Sequence, residues 1–149
     1  MVITKETKIK GQYMKAIKYI RYGLPKNVSY QEVSKPTVQE DFLLIEVHSA
    51  SINQADLYRL QGKPFFLRFF TGLFNPKNTI LGSDISGVIA EVGKNVVDYK
   101  VGDEVFGELG MDQDGSYAEY ALANPKLVAK KPKQISHSMA AAVPMAGLT

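Results

Sequence analysis

Cysteine is absent from this 149-residue chain, tryptophan is absent too, and histidine occurs twice. No disulfide, thiol nucleophile or thiolate metal site can therefore form, and two separated histidines do not build a histidine-rich alternative. No apolar run approaches the ~20 residues that cross a bilayer. The start, Met1 to Lys10, is polar and lacks the apolar stretch of a secretory signal, so the expected location is the cytoplasm. Lys and Arg number 18 against 15 Asp and Glu, and a charge of +3 is too small an excess to make nucleic acid the default partner. What is present is a globular composition, 45% hydrophobic and 22% charged, punctuated by 12 Gly and 7 Pro. A chain of this length buries about 68–70% of its unfolded surface, enough for one core.

Residues 1–13 read as an extension. Lys15 to Tyr22 alternates with Ala16 and either Tyr19 or Ile20 inward, Gly23-Leu24-Pro25 interrupts, and Val28 to Val33 resumes, which predicts a hairpin. Phe42 to Ile52 predicts a strand with Leu43, Ile45 and Val47 on its apolar side. At Asn53 the period changes, predicting a short helix over 54–60 with Asn53 as its cap and Gly62 as its stop. Residues 63–81 hold five phenylalanines, two prolines and three basic residues, a long aromatic loop with room for one helical turn. Further short strands are expected over Ile85 to Gly93, 101–108, Gly115 to Leu122 and Leu127 to Lys131, and a helix only over Ser136 to Val143, capped by Ser136. Many short strands and few helices predict a mainly β fold, a partly open barrel or sandwich, in one domain over 14–149. The final AAAVPMAGLT reads as a helix start without its partners, so a fragment is expected.

Familiar catalytic signatures do not occur. No G-x-G-x-x-G is present to meet a pyrophosphate at a helix N-terminus. Gly87 and Gly93 are spaced wrongly for a phosphate loop, and Lys94 is followed by Asn95. His48 and His137 are read as structural residues, with no nucleophile elbow near either. Gly82, Gly87, Gly93, Gly102 and Gly107 are read as turn, bulge and close-packing positions.

Four stretches in order, SINQADLYRLQG (51–62), ILGSDISGVIAEVGKNVVDYKVGDEVFG (80–107), GSYAEYALANPKLVAKKP (115–132) and AAAVPMAGLT (140–149), resemble the N-terminal GroES-like domain of the medium-chain dehydrogenase/reductase superfamily. The likeness is strongest to zinc-independent, quinone-oxidoreductase-like members. It implies a GroES-like partly open β-barrel of α+β type, with the connection to a missing cofactor-binding domain at 136–149. In zinc-dependent relatives a cysteine stands at Asn53 and a G-H-E triplet at Gly82-Ser83-Asp84, so the resemblance implies no metal. It implies instead a hydride from NADPH, held mainly by the absent domain, passed to quinones or α,β-unsaturated carbonyls. The chain alone is then expected to be inactive, and the whole protein to act on a small molecule as a homo-oligomer, away from nucleic acid and membrane.

By the same resemblance Asn53 and Tyr58 line the nicotinamide side of the cleft as catalytic and cofactor-binding residues, and Met145 and Thr149 lie toward the cofactor. Each has a plainer reading: Asn53 as a cap, and Tyr58 as a half-buried aromatic. Asp56 is a second polar contact or an acid favoured by the helix dipole. Ser83 and Asp84 either take part in the site or satisfy backbone amides. Phe65, Phe66, Phe69 and Phe70, with Phe74, wall a flat substrate pocket or form a local cluster under the loop. Lys63, Arg68 and Lys77 leave a membrane-surface reading open. The alternative to an enzyme is a non-catalytic GroES-like binding or regulatory module.

Overall fold

The computed structural model describes residues 11–110 and 113–148. The chain opens with an antiparallel hairpin of β1 (Tyr13–Tyr19) and β2 (Val28–Ser34), paired from Tyr13 with Ser34 to Tyr19 with Val28. Met14, Ala16 and Tyr19 are buried while Ile20 is 65% exposed, so of the two candidates Tyr19 is the inward residue. The strand begins at Tyr13, inside the expected extension, because the Gln12 carbonyl already accepts from Lys35 N–H at 2.8 Å. The rest of that extension, residues 1–10, lies outside the described residues.

A second, five-stranded antiparallel sheet carries the main core. Its strands are β3 (Leu43–Ser49), β4 (Asp84–Val92), β5 (Glu104–Glu108), β6 (Tyr120–Ala123) and β7 (Val128–Lys130), in the spatial order β6-β3-β4-β5-β7. Leu43, Ile45, Ile85, Ile89, Val105, Leu109, Ala121, Ala123 and Val128 pack together between its faces. Each fully buried aliphatic of this kind contributes about 1.5–3 kcal/mol. At the start of β3 both faces are covered, with Leu43, Leu44 and Ile45 all inaccessible, which is why Leu44 departs from simple alternation. The two sheets are open, as a partly open barrel requires, and do not close on each other.

One expected strand is shorter than its pattern. Gly115 to Glu119 forms no continuous ladder: Tyr117 N–H donates to Leu81 O at 2.9 Å, whereas Glu119 N–H donates to Lys15 O at 3.0 Å. Its backbone is divided among three neighbours, the third being Val47 of β3, whose N–H donates to Glu119 O at 2.9 Å, and only Tyr120–Ala123 pairs as β6.

Helix α1 (Gln54–Gln61) ends at Gly62, whose φ of 61° is the left-handed stop a glycine permits. The aromatic loop holds a 3-10 turn, Phe65–Leu67, running into α2 (Arg68–Thr71). The expected helix over Ser136 to Val143 is two helices. Ser136 Oγ accepts from Met139 N–H at 3.2 Å and starts α3 (His137–Ala141), and Pro144, which cannot donate, opens α4 (Pro144–Leu148).

Candidate functional site

The chain leaving β3 at Ser49 enters α1 through residues 50–53, and this junction meets the start of β4. Two carboxylates are buried at that junction, Asp56 and Asp84, at 3% and 0% exposure. Asp56 sits in the first turn of α1, opposite Asn53 in a capping box. Its Oδ2 accepts from Asn53 N–H at 2.9 Å, and Asp56 N–H turns back to the Asn53 main-chain carbonyl at 3.1 Å. Asp56 also accepts from Ser83 Oγ at 3.0 Å and from the Tyr117 hydroxyl at 2.8 Å. Burial first, then the hydrogen bond and charge of Asp56, push the Tyr117 phenol up from its ordinary pKa, so it remains a protonated donor.

Asp84 gathers a second set of donors. Oδ2 accepts from Ser51 Oγ at 2.8 Å, Asn53 Nδ2 at 3.0 Å and Met145 N–H at 3.3 Å. Oδ1 is buried without a partner among the described residues. Glu108 stands directly across the β4–β5 ladder from Asp84, and burial followed by the Asp84 charge raises its carboxyl above the usual range. Ser116 Oγ fixes the Asp84 main-chain carbonyl at 2.7 Å.

Asn53, Asp56, Ser83 and Asp84 are thus one hydrogen-bonded cluster, joined by Met145 through its main chain. Asp84 and Ser83 do more than satisfy backbone amides, since Asp84 accepts from the Ser51 and Asn53 side chains and Ser83 Oγ donates to the Asp56 carboxylate. Tyr58 is not joined to the cluster. It follows Asp56 by two positions, about 200° round the helix, is 46% exposed, and its hydroxyl bonds to no described residue. Thr149 lies outside the described residues. Three members, Ser51, Ser116 and Tyr117, were not singled out from the sequence.

Phe65, Phe66, Phe69, Phe70 and Phe74 do not form a buried cluster; each is at least 60% exposed. What pins their loop is polar. Arg68 donates from Nε to Gly62 O at 2.9 Å and from Nη2 to Gln61 O at 3.1 Å, with its guanidinium 4.4 Å above the Tyr22 ring. The Tyr22 hydroxyl in turn donates to Gly72 O at 2.8 Å.

A separate row joins Ser86 Oγ to His137 Nδ1 at 2.8 Å and His137 Nε2 to Glu104 Oε1 at 3.2 Å. Ser86 is inaccessible and its hydroxyl donates to Val105 O at 3.1 Å, so this row docks α3 on the sheet rather than activating a nucleophile. Burial, and then His48 with its ring centroid 4.5 Å away, hold His137 below its ordinary value of 6.5, against the pull of Glu104. A histidine depressed in the fold binds fewer protons folded than unfolded, so its contribution is lost as pH falls below about 6.5. The expected NMR titration of His137 has a midpoint under 6.5 that rises in His48→Phe; a midpoint above 6.5 in the unmodified chain contradicts this.

The model of the alcohol dehydrogenase GroES-like domain matches residues 39–133, more than half of the chain. The chain belongs to that family. In this GroES-like domain the matched stretch contains Asn53, Asp56, Asp84 and Tyr117 and leaves Met145 outside. The chain is 39% identical over 140 residues to 2-methylene-furan-3-one reductase of Solanum lycopersicum, covering 89% of the chain and 34% of that protein. It is 38% identical to the chloroplastic NADPH-dependent alkenal/one oxidoreductase of Arabidopsis thaliana, covering 89% and 35%. Among solved structures it resembles the quinone oxidoreductase from Coxiella burnetii, with a TM-score of 0.81, 34% identity, and coverage of 92% of this chain and 43% of that one. The GroES-like domain therefore spans about a third of the length of these two curated relatives.

Proposed function

We propose that this chain is the substrate-side part of an NADPH-dependent oxidoreductase that reduces a quinone or an α,β-unsaturated carbonyl without zinc. The observation that carries the reading is the Asn53 amide, half-buried at the head of α1 and fastened to Ser51 and Asp84. An amide with its nitrogen against a carboxylate is a hydrogen-bonding group, and Ser83, bound to Asp56, is engaged in the same way. Such side chains orient a ligand; they are poor donors for a cation. The names of the relatives, an enone reductase and an alkenal/one oxidoreductase, support the same substrate class.

The residues present fit the nicotinamide end of a dinucleotide and not its phosphates, because Asn53 offers an amide oxygen at the site while the glycine fingerprint is missing from the sequence. When bound, NADPH supplies the hydride, and the substrate takes up a proton to complete the two-electron reduction. Asn53 orients the cofactor, Asp84 and Ser51 hold Asn53, and Asp56 keeps the head of α1 in place.

The test uses the protein expressed from its complete reading frame. NADPH oxidation is expected with quinone or enone acceptors, unchanged by a zinc chelator. Asn53→Ala is expected to lower kcat/KM by at least about tenfold while costing no more stability than the loss of a helix cap, about 0.5–2 kcal/mol, so that the protein stays folded in the assay, and Tyr58→Phe to lower kcat/KM less. Chelator-sensitive turnover, or full activity in both variants, sinks the reading.

A further inference from the structure

We propose that Ser51 and Asp84 lock the Asn53 amide with its NH2 group turned inward, so that Asn53 meets a ligand only as a hydrogen-bond acceptor and selects an N–H or O–H donor there. Nδ2 lies 2.8 Å from Ser51 Oγ and 3.0 Å from Asp84 Oδ2. Ser51 Oγ lies 2.8 Å from the same Asp84 oxygen. A hydroxyl has one proton. Because the Ser51 proton goes to Asp84, Ser51 can only accept from Asn53. Asp84 Oδ2 already takes donors from Ser51, Asn53 and Met145. Both neighbours of the amide terminus are therefore acceptors, and only an NH2 group, with two protons, satisfies both. A flipped amide would set its oxygen against two oxygens and leave two N–H groups turned away from them.

What Asn53 retains for a ligand is its carbonyl oxygen, with two lone pairs, of which the capping box uses at most one. A substrate carbonyl is itself an acceptor and finds no partner there. Ser51 and Asp84 thereby become positioning residues, neither of which needs to touch the ligand. Resting on the proposed oxidoreductase reading, the matching donor is the carboxamide NH2 of a nicotinamide or a sugar hydroxyl of the same cofactor.

The first arm of the test needs no cofactor. In the 15N-labelled 149-residue chain, the Asn53 side-chain amide, identified by its loss in Asn53→Ala, is expected to exchange at least about tenfold more slowly than the exposed Asn75 amide. Asp84→Asn, which keeps an acceptor oxygen, is expected to preserve that protection, and Ser51→Ala to reduce it. Equal exchange at Asn53 and Asn75 overturns the proposal. The second arm measures affinity in the protein from its complete reading frame, using NADPH and its acetylpyridine analogue, which has a methyl ketone in place of the carboxamide. A loss of about three- to tenfold in Asn53→Ala for NADPH alone assigns the carboxamide donor, and an equal loss for both assigns a hydroxyl; either supports the proposal. A loss confined to affinity for the carbonyl substrate, or no loss at all, overturns donor selection, while turnover of NADPH by the unmodified protein judges the oxidoreductase reading separately.

Discussion

Asp56→Ala is expected to destabilise the chain by about 3 kcal/mol, the largest side-chain effect near the site. The carboxylate holds Asn53 N–H, Ser83 Oγ and the Tyr117 hydroxyl at once. Removing it leaves the first two without an acceptor, whereas the single Tyr117 hydroxyl proton, which faces both Asp56 and the Ser51 carbonyl, can turn wholly to that carbonyl at 2.9 Å. Hydrogen bonds to a charged group contribute about 1.5–3 kcal/mol each, and loss of a helix cap adds about 0.5–2. Relief from holding a buried charge offsets part of that sum. In urea this corresponds to a midpoint lowered by roughly 1–3 M. The Tyr117 phenol should also titrate at lower pH than in the parent, since two of the causes holding it up come from Asp56. A change below about 0.5 kcal/mol, within the range of ordinary surface substitutions, would show that desolvation of the carboxylate cancels its bonds.

Gly87→Ala acts through space rather than torsion. Gly87 lies inside β4, paired with Val47 on one side and Val105 on the other. A methyl there would fall within the van der Waals envelope of the Glu46 carbonyl oxygen and meet the Ile45 side chain. Neither is free to retreat, because Ile45 is fully buried and Glu46 belongs to the neighbouring strand. The expected cost is about 3 kcal/mol, accompanied by faster amide exchange along β3 and β4. Gly102→Ala gives the contrast: nothing lies near its Cβ position, but a φ of 88° disfavours any side chain, for about 1–2 kcal/mol. Equal, small losses at both positions would refute the crowding assigned to Gly87.

Local chemistry explains why β3, β4 and α1 could be read from the residues. Their hydrophobic period, the change of period at Asn53 and the glycine at 62 are decided within a few positions of one another. Gly115 to Glu119 departs from its pattern because its backbone divides among Leu81, Lys15 and Val47, partners that alternation does not reveal. The same limit applies to the site. Asn53, Ser83 and Asp84 could be named from the quoted motifs, but Ser51 lies 33 positions from Asp84 and 66 from Tyr117, and only folding brings them together. The exposed phenylalanines show the converse. Composition marked the segment as aromatic, yet the residues holding it are Arg68 and Tyr22, one charged and one from the preceding hairpin turn.

Met145 N–H on Asp84 Oδ2, at 3.3 Å, makes the outgoing stretch of the polypeptide a spoke of the same hub that fixes Asn53. Any swing of α4 that stretches this spoke removes one of three protons shared by a single oxygen. The grip on the other two, from Ser51 and Asn53, must then readjust. The pitch of the segment after Val143 and the stiffness of the Asn53 amide are consequently one mechanical coordinate, transmitted through an atom that no solvent reaches.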